Sequence, residues 1–438
     1  MNVRHEAWSI IVKVLKNNMF SDKLLSQSAK KFQDTPDNIN LLYYLVRGVL
    51  KMQLHLDHIV SQYTDKEKYK NTCIKIKSLL YLALYQIVYC KGIPEHAAVN
   101  ETVEIAKNSL SENIGSFVNA VLREYLRNPQ YKLPEDPAER ISKEHSFPIE
   151  IVQKLLKYWN TEEVEYLCMY YNEPPKLYMR VNTLETNKQK VMNYFSKKGI
   201  ELQESKASQN MLISDDAPMI LNDIAFEEGY YTIQDISAAM VIELLDPQQE
   251  DNILDFFAGR GGKTSYIAEL MKNTGEIVAV DKIPFKVKEM KQTLSRVQAT
   301  NVQLVVEDVF KYGPIAPVYD RVLIDVPCSG WGVFQKKPEL RWQEKQNLNE
   351  LIRLQEKALI HADLFVKPGG ILVYSTCTIN PDENEKQIYK FLKTHPKYTI
   401  IPAETIVPKE YTEDMFLKTI PHKHHMDGAF AAKLRKSE

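Results

Sequence analysis

From Thr232 onward, short apolar strands alternate with helical stretches, and acids stand where the strands end. The strands read as Ile253-Leu254, Ile277 to Val280, Val302 to Val306, Val322 to Ile324 and Ile371 to Tyr374. Alternation of this kind predicts a parallel, doubly wound sheet, since each strand needs a crossover before the next can lie parallel to it. Such sheets gather their ligands at the carboxyl ends of the strands. Two cysteines fall at those ends, one in Asp325-Val326-Pro327-Cys328-Ser329-Gly330 and one in Ser375-Thr376-Cys377. Between two strands, the helical stretch Leu348 to Phe365 closes at Lys367-Pro368-Gly369-Gly370.

A chain of 438 residues exceeds one ordinary domain and predicts two to four. Its 44% hydrophobic and 26% charged residues are those of a globular protein. The sequence lacks a run of about 18 apolar residues, and its first residues lack the apolar core of a signal peptide. These features predict a cytoplasmic protein without membrane attachment. Five cysteines without close pairs argue against both a disulfide framework and a metal site. Cys73, Cys90 and Cys168 read as small, inert hydrophobes. A net charge of −1 leaves nucleic-acid binding open, because a basic groove needs only a local excess.

Residues 1–134 read as helices. Ala7, Ile10, Ile11, Val14 and Leu15 form one amphipathic stripe, and Ile76, Leu79, Leu80, Ala83, Leu84, Ile87 and Val88 form a stronger one. Gly92-Ile93-Pro94 stops the second helix, Ala97 to Leu110 forms the next, and Phe117, Val118, Val121, Leu122 and Tyr125 make a last stripe. The strings Ile93-Pro94-Glu95-His96-Ala97-Ala98-Val99-Asn100-Glu101 and Phe117-Val118-Asn119-Ala120-Val121-Leu122-Arg123 resemble the NusB family, a helical RNA-binding module. A proline-marked linker follows at 128–137. Residues 140–229 predict a small α+β unit resembling an RNA-recognition fold, with Leu177 to Leu184 as a strand, and residues 230–438 the α/β domain. The string Asn172-Glu173-Pro174-Pro175 with Arg180-Val181-Asn182-Thr183-Leu184 resembles the segment ahead of the catalytic domain in RNA 5-cytosine methyltransferases.

Asp255-Phe256-Phe257-Ala258-Gly259-Arg260-Gly261-Gly262-Lys263-Thr264 follows the first strand and opens a helix. A phosphate-cradling P-loop needs glycine at 257, where Phe stands, and a dinucleotide fingerprint needs glycine at 264, where Thr stands. S-adenosylmethionine carries no phosphate, and acids at Asp281 and Asp308 suit its ribose and adenine.

Cytosine carbon 5 is a poor nucleophile until a thiolate adds at carbon 6 and makes it enamine-like. That chemistry needs a thiolate, a hydrogen-bond donor or acid at ring nitrogen 3, and a base for the carbon-5 proton. Asp325, Cys328 and Cys377 can supply these functions from adjoining strand ends. Asp-x-Pro-Cys-Ser-Gly at 325–330, Tyr-Ser-Thr-Cys-Thr at 374–378, Pro-x-Glu-Asn-Glu at 381–385, Gln234-Asp235 and Met426-Asp427-Gly428-Ala429-Phe430 resemble the RNA 5-cytosine methyltransferases. With the NusB-like module in front, the chain resembles the RsmB (Sun/Fmu) ribosomal RNA methyltransferases nearly end to end. The resemblance implies Cys377 as nucleophile, Cys328 as the thiol that assists product release, and Asp325 beside the cytosine. It also implies that Phe257, Ala258, Gly259, Arg260, Gly261, Gly262 and Lys263, with Asp281, Asp308 and Asp325, hold S-adenosylmethionine. Where that family reads Cys-Ala-Ala-Pro-Gly-Gly-Lys-Thr, this chain departs at Gly259 and Arg260. Arg260 either meets the cofactor carboxylate or points to solvent.

For RNA contact, Arg180 and Asn182 are candidates, as are Lys336, Lys337, Arg341 and Lys345 with Trp331, Phe334 and Trp342 between them, since cations meet phosphates and rings stack bases. The expected activity is methylation of cytosine carbon 5 in 16S ribosomal RNA by a monomer without a metal. The alternatives are the same chemistry on transfer RNA, or a non-catalytic NusB-like RNA-binding or assembly factor.

Overall fold

The computed structural model describes residues 2–17, 19, 21–32, 35–313, 316, 318–342 and 347–438, excepting the side chain of Pro218. The chain forms two compact units, one of residues 1–173 with 337–344 and one of 174–336 with 345–438.

Among its described residues the first unit is built of helices joined by loops, without strands. Its central helix, Ile74–Tyr89, is buried on nearly every side from Ser78 to Gln86, as expected of a helix apolar all round. It ends before Gly92-Ile93-Pro94, and Glu95–Ser109 and Glu112–Arg127 follow as antiparallel neighbours. Ser111 caps the last of these by accepting from the Ile114 amide. The helices of 137–172 pack with this bundle, so the compact unit runs past the linker to residue 173. The reason is local: Ser146 Oγ accepts from the Leu54 amide at 3.0 Å, and His55 Nδ1 meets the Glu144 carbonyl at 2.6 Å. Residues 337–344 also belong to this unit. Arg341 lies 3.8 Å above the Phe147 ring and donates to Asn172 Oδ1 at 2.9 Å and the Tyr171 carbonyl at 3.1 Å.

The second unit contains two sheets. The smaller comprises β1 (Leu177–Val181), β2 (Gln203–Glu204), β3 (Met211–Ser214) and β4 (Tyr231–Ile233) in the order β2-β3-β1-β4, all antiparallel. The larger begins with β5 (Asn252–Phe256), β6 (Glu276–Asp281), β7 (Val302–Val306), β8 (Tyr319–Asp325) and β9 (Val366–Thr376). These five run parallel in the order β9-β8-β5-β6-β7. The chain winds from β5 to one side and then restarts at β8 on the other, which opens a crevice at the carboxyl ends of β5 and β8.

Beyond β9 the sheet departs from the purely parallel expectation. β10 (Tyr398–Ile401), β11 (Thr412–Glu413), β12 (Phe416–Thr419) and β13 (Ala429–Lys436) complete a mixed sheet, with β13 antiparallel to β9. Met426-Asp427-Gly428 enters β13, so its backbone runs beside the Cys377 strand end. Lys367-Pro368-Gly369-Gly370 does not separate helix from strand. It forms an irregularity inside β9, opposite the step from Tyr319 to Arg321 on β8.

Arg180 of β1 and Glu269 of helix Gly262–Leu270 are both fully buried and pair at 2.7 Å. Removing one partner strands the other charge, so Arg180→Ala should destabilise this unit by about 3–5 kcal/mol. The double variant with Glu269→Ala should lose much less than the sum of the singles. Urea midpoints of the three variants measure this, and additive losses would show that the pair does not couple.

Candidate active site at the strand ends

The crevice beyond β5 and β8 holds a cavity of about 260 Å³ walled by Phe257, Ala258, Gly259, Arg260, Gly262, Lys263, Asp255, Asp325 and Gln234. The loop turns through three left-handed residues, Phe257 (φ 61°), Gly259 (φ 63°) and Gly261 (φ 81°). Glycine is required at 261, because a Cβ there would lie 2.5 Å from Met290 Cγ. Phe257 holds its φ without that freedom, a strain that surrounding packing must sustain. Asp281 accepts from the Gly259 amide at 3.0 Å and from the Ile283 amide at 2.9 Å, so the acid sets the loop from behind. Asp308 stands further along the edge, where it caps a short turn through the Phe310 amide. Arg260 resolves toward solvent, 71% exposed and paired with Glu289 at 2.9 Å.

Asp255 is buried at the cavity floor with its Oδ2 accepting from Thr264 Oγ1 at 2.7 Å. Burial pushes its carboxyl up to about 7, and the nearby Asp325 and Asp281 charges add to the rise. Lys263 Nζ donates to Asp325 Oδ2 at 2.7 Å, and Ser375 Oγ donates to Asp325 Oδ1 at 2.7 Å. Burial opposes the Lys263 charge, but Asp325 outweighs it and holds the ammonium above the usual lysine range, with Cys377 adding to the pull.

Cys328 and Cys377 come together with their sulfurs 3.2 Å apart. Cys377 is exposed and Cys328 half-buried. The hydrogen bond to Cys377, and then burial, hold the Cys328 thiol well above its usual range. Cys90 and Cys168 are buried as expected, whereas Cys73 is exposed.

The loops that carry the two thiols are joined by Glu383, a fully buried carboxylate. It accepts from the Ser329 amide (2.8 Å), Ser329 Oγ (2.5 Å), Gln355 Nε2 (3.0 Å) and Asn380 Nδ2 (3.0 Å). Gly332 closes the other side, its amide donating to the Cys377 carbonyl at 3.1 Å. Sequence reasoning noted the Pro-x-Glu-Asn-Glu string but not this role; an acid six residues beyond a strand-end cysteine was the available signal.

Most of the RNA-contact candidates are occupied otherwise. Arg180 is 0% exposed, and besides Glu269 it donates to Ser265 Oγ (2.8 Å), the Gly262 carbonyl (3.0 Å) and Gln234 Oε1. Asn182 is likewise 0% exposed and donates to the Gly229 and Val297 carbonyls. Lys336 is clamped between Asp235 and Asp427, which hold its ammonium above the usual range against burial. Arg341 is internal to the first unit, where burial pulls its guanidinium down to about 9. Trp331 and Phe334 are buried, which leaves them no free face for stacking, and the half-buried Trp342 donates from Nε1 to the Leu50 carbonyl. Of Arg180, Asn182, Lys336, Lys337 and Arg341 only Lys337 is exposed, and Lys345 lies outside the described residues. In the first unit, Glu144, His145 and Glu165 cluster at metal-ligand spacing, but Arg140 already donates to both Glu165 oxygens at 2.6 and 2.7 Å.

Comparison with known proteins accounts for all three regions. Residues 242–435 match the model of the 16S rRNA methyltransferase RsmB/F family, residues 1–127 that of the NusB family, and residues 147–218 that of the RsmF/B-like ferredoxin-like domain. The chain is 34% identical to a probable ribosomal RNA small subunit methyltransferase B of Bacillus subtilis, covering 99% of each chain. Its identity to the protein so named in Synechocystis is 33%, covering 100% of each. The chain belongs to the RsmB family of small-subunit ribosomal RNA methyltransferases. The crystal structure of a methyltransferase homolog protein from Pyrococcus horikoshii superposes with a TM-score of 0.60 and 26% identity, covering 69% of this chain and 100% of that one. Among the described residues no helix is long and apolar enough to cross a membrane.

Asp255 gives the site a measurable signature. Its folded pKa lies above its unfolded one, so the stability it contributes is full below about pH 4 and is lost as pH rises through about 7. Asp255→Asn should therefore gain stability over the wild type by roughly 2–4 kcal/mol between pH 4 and pH 8. Paired unfolding curves at both pH values test this; a constant difference would mean that Asp255 ionises normally.

Proposed function

We propose that this protein transfers a methyl group from S-adenosylmethionine to carbon 5 of a cytosine in 16S ribosomal RNA, through a transient bond between Cys377 and carbon 6. The observation that carries this reading is the meeting of two thiols, 3.2 Å apart, beside the Lys263–Asp325 pair at the mouth of the cavity. The cavity suits that methyl donor chemically. Asp255, Asp325, Lys263 and Arg260 in its wall give groups of both signs, which suit a cofactor that carries a sulfonium, an amine and a carboxylate. When bound, the donor supplies an electrophilic methyl group; the loop at 257–263 with Asp281 and Asp308 would hold it.

The chain's own groups perform the remaining steps. Cys377, the exposed member of the pair, attacks carbon 6 as a thiolate and places negative charge on the ring. The Lys263–Asp325 pair stands beside the ring, and its ammonium, the group there able to donate, stabilises that charge. Carbon 5 becomes nucleophilic only while the Cys377–carbon 6 bond exists. Release requires that water in the open crevice accept the carbon-5 proton and that the Cys377 sulfur depart. Cys328 stands in hydrogen-bond contact with that sulfur, and its high-lying thiol keeps the proton that stabilises the leaving thiolate. The two cysteines thus divide attack from release. The names of the relatives support ribosomal RNA as substrate.

Cys328→Ala should accumulate a covalent protein–RNA adduct that survives denaturing electrophoresis, and Cys377→Ala should form none while losing methyl transfer by about 10³-fold or more. The reverse pattern would assign the attack to Cys328. Mapping 5-methylcytosine with and without the protein identifies the RNA, and a lost mark in transfer RNA rather than 16S ribosomal RNA would overturn the substrate.

A further inference from the structure

Two thiols held for separate steps are also two thiols that can join. A disulfide needs sulfurs about 2.05 Å apart, so closure from 3.2 Å requires a movement of roughly 1.2 Å, within reach of a rotamer adjustment. The residues preceding them, Asp325 and Ser375, face each other across β8 and β9. Neighbouring strands lie about 4.8 Å apart, which falls in the range of Cα separations that disulfides bridge. The strand ends are fixed from behind by Glu383, so the pair cannot drift apart as surface thiols do. Exposure differs in the useful direction. Cys377 is open to solvent and lies in the field of the Lys263 ammonium, while Cys328 sits half-buried against it.

We propose that Cys328 and Cys377 form a reversible redox site, in which a hydroperoxide converts the pair to a disulfide and switches the enzyme off. The Cys377 thiolate, its proton given to solvent, attacks the peroxide oxygen; the O–O bond breaks, an alcohol or water leaves, and Cys377 becomes a sulfenic acid. The Cys328 sulfur then attacks the Cys377 sulfur. The S–S bond forms, the S–O bond breaks, and the departing hydroxide takes the Cys328 proton as water. Two thiols give up two electrons and the peroxide accepts them. Cys328 is the resolving thiol, and it protects Cys377 from the irreversible sulfinic and sulfonic stages. A low-molecular-weight dithiol restores both groups by exchange. That methyl transfer stops in the oxidised form rests on the proposed function; the disulfide itself does not.

The test uses the full chain, with Cys73→Ser as a second background because that exposed thiol can cross-link two chains. After treatment with hydrogen peroxide, the intact mass should fall by two hydrogens, and a non-reducing digest should contain the peptides of Cys328 and Cys377 joined. Dithiothreitol should reverse both changes and restore methyl transfer. In Cys328→Ala, peroxide should instead leave Cys377 as a dimedone-reactive sulfenic acid that proceeds to sulfinic acid. Sulfinic acid at Cys377 in the wild type, without a 328–377 cross-link, would overturn the proposal. A reversible cross-link in a chain that transfers no methyl group even when reduced would uphold the redox site and sink the proposed function.

Discussion

The geometry of the site depends on a carboxylate buried behind it. Glu383 is fully buried, and moving such a charge out of water costs several kcal/mol before any compensation. Four donors meet it, each worth about 1.5–3 kcal/mol to a charged acceptor, so the cost is offset only while all four are in place. Two come from Ser329, next to Cys328; one comes from Asn380 on the Cys377 loop; one comes from Gln355, which also donates to the Pro327 carbonyl at 3.0 Å. A displacement of either loop would leave a donor or the acid unsatisfied. The 3.2 Å approach of the sulfurs is therefore set by a buried hydrogen-bond network rather than by any attraction between thiols.

A second arrangement of charge lies in front of that network. Asp325 spends one oxygen on Lys263 and the other on Ser375, which leaves the carboxylate rigid and turned toward the cavity. Asp255, a few residues before Lys263, carries no such cation and is pushed up to about 7 by burial. Two acids at one strand-end crevice thus have different partners, Asp325 an ammonium and Asp255 a hydroxyl.

Much of this was legible in the sequence because it is local. Strand-helix alternation, the glycine turn and the strand-end cysteines each depend on residues within a few positions, and the structure places them as their periodicity demands. The misread residues share a different property. Arg180, Asn182, Lys336 and Arg341 looked like phosphate contacts because a cation or amide in a strand or loop shows nothing of its partner. Those partners are Glu269, the Val297 carbonyl, Asp427 and the Phe147 ring, all distant in sequence. Prolines near 134 mark where helices stop, not which bundle the next helices pack on. The antiparallel strands after β9 went unseen because their residues are short runs, such as Phe416–Thr419, whose pairing is decided by β13.

Arg180 shows what such a misreading conceals. A buried ion pair is weak evidence for stability, since well-packed apolar residues often serve as well. Its value here is positional. From β1 of the small sheet, the guanidinium reaches Glu269, Ser265 and the Gly262 carbonyl, three points on the helix that the glycine loop opens. Gln234 joins the same set, accepting from Arg180 and donating to the Gly262 carbonyl at 3.3 Å while it lines the cavity. The small sheet and the loop that would hold the methyl donor consequently share one rigid connection. The arginine thus ties β1 to Gly262, the residue next to the lysine that pairs with Asp325.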